Sequence, residues 1–207
     1  MGFQNCFKEN IILREENQKL KLANLILNDA EQENRRLRKL VSFKEKSELH
    51  FVAARIIASD SSNFRSSVVI DKGKKSGIEV GDWVISPDGL VGRVSELGNF
   101  ASRVVLMNDP NFAVSAKIIR SGAMGLLTGS LDGNCILKYL ELDDDIKIGD
   151  EVLTSTKESG LGISIPIGKV TGIFKEHSGI SLFAVVKPQP HLNSLEEVLV
   201  IPSKYSQ

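Results

Sequence analysis

Apolar positions along the chain follow two different periods, and the change comes near residue 49. From about Glu9 to Lys46 there is no Pro and no Gly, and Leu, Glu, Lys, Arg, Asn and Gln dominate; most of these favour helix. Leu13, Leu20 and Leu27 recur every seven residues. Asn17 and Asn24 each fall four residues after one Leu and three before the next. This is a heptad with Leu at d and Asn at a. The frame then slips to a second stripe of Ala23, Ile26, Ala30, Leu37 and Leu40, interrupted by Glu33, as a stutter does. Such a helix is about 57 Å long at ~1.5 Å per residue and must bury its stripe to be stable in water. Flanking positions are charged almost throughout, which favours an intermolecular coiled coil over a helix packed on its own globular domain. Asn at a favours a parallel dimer in one register. The expected dimerisation residues are Leu13, Asn17, Leu20, Asn24 and Leu27. The run Arg35, Arg36, Arg38, Lys39 reads as a solvated helix face rather than a site for an acidic partner.

After Leu49 the period shortens to two. Expected strands are His50 to Ala58, Ser67 to Ile70, Trp83 to Ile85, Leu90 to Ser95, Arg103 to Met107, Ala113 to Ile119, Met124 to Leu127, Cys135 to Tyr139, Glu151 to Thr154, Lys169 to Phe174, Phe183 to Val186 and Val198 to Ile201. Asp71-Lys72-Gly73, Pro87-Asp88-Gly89 and Asp132-Gly133-Asn134 carry hairpin-turn chemistry. About twelve short strands with no recurring helical stripe between them predict sandwiches or closed barrels rather than an α/β fold.

The strand region repeats one phrase. Val80-Gly81-Asp82-Trp83-Val84-Ile85-Ser86 is followed by Gly92-Arg93-Val94, and Ile148-Gly149-Asp150-Glu151-Val152-Leu153-Thr154 by Gly168-Lys169-Val170. Gly-Asp suits a tight turn and the next residues a strand entering a core. Gly81, Asp82, Gly149 and Asp150 are therefore expected as structural turn residues. Two copies predict two small β-barrel-type domains of similar construction, each of six strands, behind an α-helical coiled coil. The expected domains are a stalk over 1–48, a first barrel over 49–119, which C-terminal strands can complete, and a second barrel over 120–207. The copies differ by a Gly- and Ser-rich insertion from Lys157 to Ile165, expected as an exposed loop.

Composition narrows the function. The 207 residues have formal net charge zero, 42% hydrophobic and 25% charged residues, and 6% aromatics. That is the globular range, without the basic excess or the stacking platforms of a nucleic-acid binder. No run reaches the roughly 18 apolar residues of a membrane span. Cys6 and Cys135 form neither a C-x-x-C pair nor a zinc pattern. His50, His177 and His191 share no metal-ligand spacing. Paired barrels invite comparison with chymotrypsin-like proteases, but no Gly-Asp-Ser-Gly phrase is present, and Thr154-Ser155-Thr156 is the nearest. Phosphate-binding glycine loops are absent, and Asp143-Asp144-Asp145 lacks the spaced ligands of a calcium loop. These readings give no catalytic residue, no cofactor and no metal.

Several phrases, in their order and spacing, carry a resemblance. They are Ile70-Asp71-Lys72-Gly73, Gly89-Leu90-Val91-Gly92-Arg93-Val94, Asn108-Asp109-Pro110-Asn111, Ser121-Gly122-Ala123-Met124-Gly125-Leu126-Leu127, Gly149 to Ser155, Pro166-Ile167-Gly168-Lys169-Val170 and Leu195 to Val200. With the stalk, they resemble the MreC family of bacterial rod shape-determining proteins. The resemblance implies two chymotrypsin-like half-barrels without a catalytic site, outside the cytoplasm at the membrane face. It implies a homodimer or higher self-assembly that organises peptidoglycan synthesis, with penicillin-binding transpeptidases and other rod-complex membrane proteins as partners. Membrane anchoring is expected through an N-terminal segment not contained in these residues. Thr156, in place of the expected Gly, and the segment Ser159 to Ile165 depart from the family pattern. Two rival readings are a periplasmic adaptor of an export pump, in which strands precede as well as follow the helix, and a serine-protease-like protein.

Overall fold

The computed structural model describes residues 50–62, 65–156, 163–176 and 179–202, together with helical residues 14, 18–19, 21–22, 25–29, 31–38 and 40. The chain separates into two compact units, Met1–Lys46 and Ser47–Gln207. Taken by itself, the first unit is helical wherever it is described. Its turns carry local polar pairs one helical turn apart, Arg38 Nε donating to Asn34 Oδ1 at 2.9 Å and Arg35 reaching Glu31 at 4.0 Å. Leu25, Ile26, Leu27 and Leu37 are exposed.

The second unit contains twelve described strands: β1 (Val52–Ser62), β2 (Arg65–Ile70), β3 (Trp83–Ser86), β4 (Gly89–Leu97), β5 (Ser102–Leu106), β6 (Ala113–Ile118), β7 (Met124–Gly129), β8 (Cys135–Leu140), β9 (Glu151–Thr154), β10 (Pro166–Lys175), β11 (Leu182–Pro188) and β12 (Glu197–Ile201). They close into two six-stranded antiparallel barrels, β1-β12-β3-β4-β5-β2 and β10-β11-β8-β7-β6-β9. Closure leaves few unpaired edges, and the period of two places one face of each strand in a barrel core. Ile70, Val84, Leu90, Val104 and Val198 fill the first core; Val114, Leu127, Leu137, Val152 and Val186 fill the second.

The division between the barrels differs from the expected boundary at 119/120. β6 pairs with β7 and β9, so it belongs to the second barrel. β12 pairs with β1 and β3, so the C-terminal strand closes the first, the completion the sequence reading allowed for. Each run of six strands thus keeps five and sends its sixth to the other barrel. β6 and β12 occupy matching places, next to β9 and β3 respectively. The second barrel is consequently continuous in sequence and is inserted, along the chain, between β5 and β12 of the first.

The two barrels touch where backbone approaches backbone. A Cβ on Gly89 would lie 2.3 Å from Pro166 O, and one on Gly129 2.2 Å from Asp109 O. β3 and β12 are buried on both faces, as strands covered from two sides must be. The β5–β6 crossover is pinned by Asp109, itself 2% exposed, which accepts the Ser66 N–H at 2.7 Å and the Asn111 N–H at 2.8 Å. The expected exposed insertion also differs at its end. Ile165 is buried, and its N–H donates to Thr154 Oγ1 at 2.8 Å; residues 157–162 lie outside the described ones.

Candidate interaction surfaces

The repeated phrase folds twice in the same way. Gly81 and Gly149 take φ of +97° and +94°, the left-handed region that favours glycine. Gly81 N–H donates to Val94 O and Val94 N–H to Asp82 O, at 2.8 and 2.9 Å; Gly149, Val170 and Asp150 repeat both bonds at the same lengths. Asp82 Oδ2 accepts the Glu79 N–H at 2.7 Å, and Asp150 Oδ2 the Lys147 N–H at 2.8 Å. Each buried carboxylate thus seals the turn that delivers a strand to its barrel. The apolar residue that opens each phrase does not enter the core: Val80 and Ile148 are both exposed. Four sequence-expected turn residues therefore assemble into two matching structural turns rather than one joint site.

Around the second turn a cluster forms that spacing alone did not reveal. Arg120, just past β6, donates through Nε to Asp150 Oδ1 at 2.8 Å and through Nη2 to Asp150 Oδ2 at 2.9 Å. It also bonds the carboxylate and the backbone carbonyl of Asp145. Its hydrogen bonds hold both carboxyls below the usual range, and the same bonds raise the guanidinium. Asp144 Oδ2 accepts the Glu141 N–H at 2.8 Å, and the Asp144 N–H donates to Glu141 O at 3.3 Å, so Glu141 to Asp144 form a hydrogen-bonded turn. Among the described residues no group of three or more His, Cys, Asp or Glu is placed to hold a metal. Thr154 and Ser155 are buried. Cys135 is buried, its thiol donating to Met107 O at 3.2 Å, and burial pushes its pKa up to about 12; such a thiol is inert.

Exposed apolar side chains divide unevenly between the barrels. Among the described residues, Ile57, Val80 and Phe100 are exposed on the first, whereas the second and its loops expose Ile119, Met124, Leu131, Tyr139, Leu142, Ile148, Phe174 and Ile180. Three aromatics lie on adjacent strands at one end of the second barrel. Phe174 of β10 pairs with Phe183 of β11, their rings stacked with centroids 5.4 Å apart. On the other side of Phe183 the β11–β8 register shifts, and the extra residue is accommodated at Tyr139, a non-glycine with φ of +63°. Bulges re-aim side chains, and Tyr139 is 66% exposed. The hairpin beyond carries Ile180, 78% exposed. Exposed apolar side chains gathered at one end of a barrel make it a candidate interaction surface. Of the expected dimerisation residues, Leu27 is helical and exposed; Leu13, Asn17, Leu20 and Asn24 lie outside the described residues. No helix among the described residues is long and apolar enough to cross a membrane.

The chain matches the family model "Rod shape-determining protein MreC, barrel core" over residues 56–202. It is 31% identical over 169 residues to the cell shape-determining protein MreC of Cereibacter sphaeroides, covering 82% of this chain and 56% of that one. It is 33% identical over 164 residues to the Escherichia coli protein, covering 77% and 43%, and 31% identical over 211 residues to that of Bacillus subtilis, covering 96% and 73%. The chain spans about half the length of the curated relatives that head the comparison. Among solved structures, one of MreC superimposes with TM-score 0.73 at 26% identity, covering 82% of this chain and 97% of that one. The Listeria monocytogenes MreC structure gives 0.66 at 29%, covering 93% and 94%. A complex between penicillin-binding protein PBP2 and MreC from Helicobacter pylori gives 0.60 at 18%, covering 74% and 98%, a likeness of fold. With the family pattern spanning both interlocked barrels, the chain belongs to the MreC family of rod shape-determining proteins.

Proposed function

We propose that the chain is a non-enzymatic scaffold that acts outside the cytoplasm, self-associates through its helical segment and holds a penicillin-binding transpeptidase of the cell-elongation machinery. The observation that carries the reading is the aromatic end of the second barrel, where Phe174, Phe183 and Tyr139 sit on neighbouring strands. Aromatic anchors of this kind dominate binding energy where a partner excludes water around them. The Helicobacter pylori complex supports the class of partner. Self-association rests on the heptad of Leu13, Asn17, Leu20, Asn24 and Leu27, and on the exposure of Leu25, Ile26 and Leu27 in the described helix.

The test takes the transpeptidase of the same organism. Phe174→Glu is expected to abolish complex formation in surface plasmon resonance while leaving the thermal transition within about 2 °C, because a surface change costs little stability. Unchanged binding excludes this face. In sedimentation equilibrium, replacing Leu20 and Leu27 with Lys is expected to convert dimers to monomers, and persistence of the dimer refutes the helical route.

A further inference from the structure

β1 is longer than the strand that covers it. Its outer edge pairs with β12 only from Val52 to Arg55, and the last backbone link is Ile56 N–H to Glu196 O at 2.8 Å. Ala58, Ser59 and Asp60 pair with Val69, Val68 and Ser67 of β2 on their inner side. Among the described residues no strand pairs with them on the outer side. Successive strand residues direct their N–H and C=O groups to opposite sides. About half of the backbone groups from 57 to 60 therefore aim at the open edge.

The register shift between Ile56 and Ala58 falls where the pairing with β12 ends. A bulge there bends the strand away from its neighbour. The connector before β12 turns aside through a 3-10 turn at Leu192–Ser194. Between the two lies a groove of about 340 Å³. Leu192 and Leu195 form one wall, Val68 and Leu106 the apolar base, and Val68 and Leu106 are almost wholly buried. Ile57 is 58% exposed, and Ala58, Ser59 and Asp60 are exposed with it. Proteins commonly blunt an open edge with Lys or Pro; Ile57-Ala58-Ser59-Asp60 contains neither.

We propose that this edge and groove form a strand-addition site for an extended segment of a partner polypeptide. The segment runs antiparallel to β1, in line with β12, with one apolar side chain in the groove and a basic residue beside Asp60. Only an extended peptide backbone repeats donors and acceptors at strand spacing, which is why the occupant is a polypeptide rather than a small molecule. Asp60, exposed at the far end, sets its charge. The site lies on the first barrel, so it adds a surface to the aromatic one on the second.

The experiment titrates the isotope-labelled full chain with the synthetic peptide acetyl-Lys-Thr-Val-Thr-Leu-Thr-amide, whose N-terminal Lys falls at the Asp60 end of an antiparallel pairing. Saturable shifts are expected at the amides of 57–60 and the methyls of Val68, Leu106 and Leu192, with slowed hydrogen exchange at those amides. The same peptide N-methylated at alternate residues should fail to bind, in one of its two registers, while the protein itself is untouched. Asp60→Lys should weaken binding about threefold, as a surface charge pair does. The proposal is overturned by an absence of shifts at millimolar peptide, by shifts elsewhere, or by equal binding of both N-methylated forms. It is equally overturned if the amides of 57–60 shift with protein concentration alone, because the occupant is then a second copy of this chain.

Discussion

Across β3 and β4 of the first barrel, Trp83 faces Arg93, whose guanidinium lies 4.8 Å from the indole ring and donates to Gly81 O at 2.7 Å. At the matching place in the second barrel, Glu151 faces Lys169 at 3.3 Å. One pair is a cation over a ring, the other an exposed ion pair. The Gly-Asp turn beneath them is the same to within 0.1 Å in its two shared backbone bonds. The backbone device is therefore what the two barrels need in common, and the side chains above it are exchangeable. A second contrast lies in closure: the second barrel contains its own six strands in one run, while the first waits for β12.

The widest test of that contrast is to end the chain after Pro188. Amides in β2 to β5 are expected to lose protection in hydrogen exchange while those of β6 to β11 keep it. Retained protection in the first barrel would show that β12 is dispensable for closing it. Next in size is a paired substitution. A Cβ on Gly92 would lie 2.0 Å from Val105 O, and one on Gly168 2.0 Å from Lys187 O. Gly92→Ala and Gly168→Ala should each cost about 3 kcal/mol or more by urea unfolding, and a much smaller cost in one barrel would break the equivalence.

The turn carboxylates come third. Asp82→Ala removes the acceptor of the half-buried Glu79 N–H and is expected to cost about 1–3 kcal/mol. Asp150 adds an acid-sensitive component, because Arg120 lowers the folded pKa of both Asp150 and Asp145. A depressed carboxyl contributes stability that is complete above the unfolded value of about 3.9 and is lost as pH falls through the lower folded value. Stability measured from pH 5 downward should therefore fall, and Arg120→Met should flatten that fall; an unchanged slope removes the clamp from the account. The smallest effect belongs to Glu151→Gln, at about 0.5 kcal/mol or less and erased by 1 M salt.

Strands and turns were legible in the sequence because alternating apolar runs and Gly-Asp or Asp-Gly punctuation act locally. All twelve expected strands coincide with observed ones to within a few residues. Strand destination was legible only in part. The return of Glu197–Ile201 to the first barrel was one of the arrangements the sequence allowed, but Ala113–Ile118 is an apolar run like the rest, and nothing local marks it as closing the second barrel. The same holds for Arg120, thirty residues from Asp150 and joined to it only by β6 pairing with β9. Phe174 and Phe183 were visible as aromatics, but their stacking depends on the β10–β11 register shift between Val170 and Gly172.

The pairing of Val52 with Val200 places the start of β1 next to the end of β12. A pulling force applied between those two points would load that seam end-on, parting its hydrogen bonds one after another like a zipper rather than all together in shear. The inserted barrel lies off the direct line of that force until the seam has opened. Under tension, then, the first barrel is the mechanical fuse of the pair, and the domain bearing the aromatic surface is the last part to feel the load.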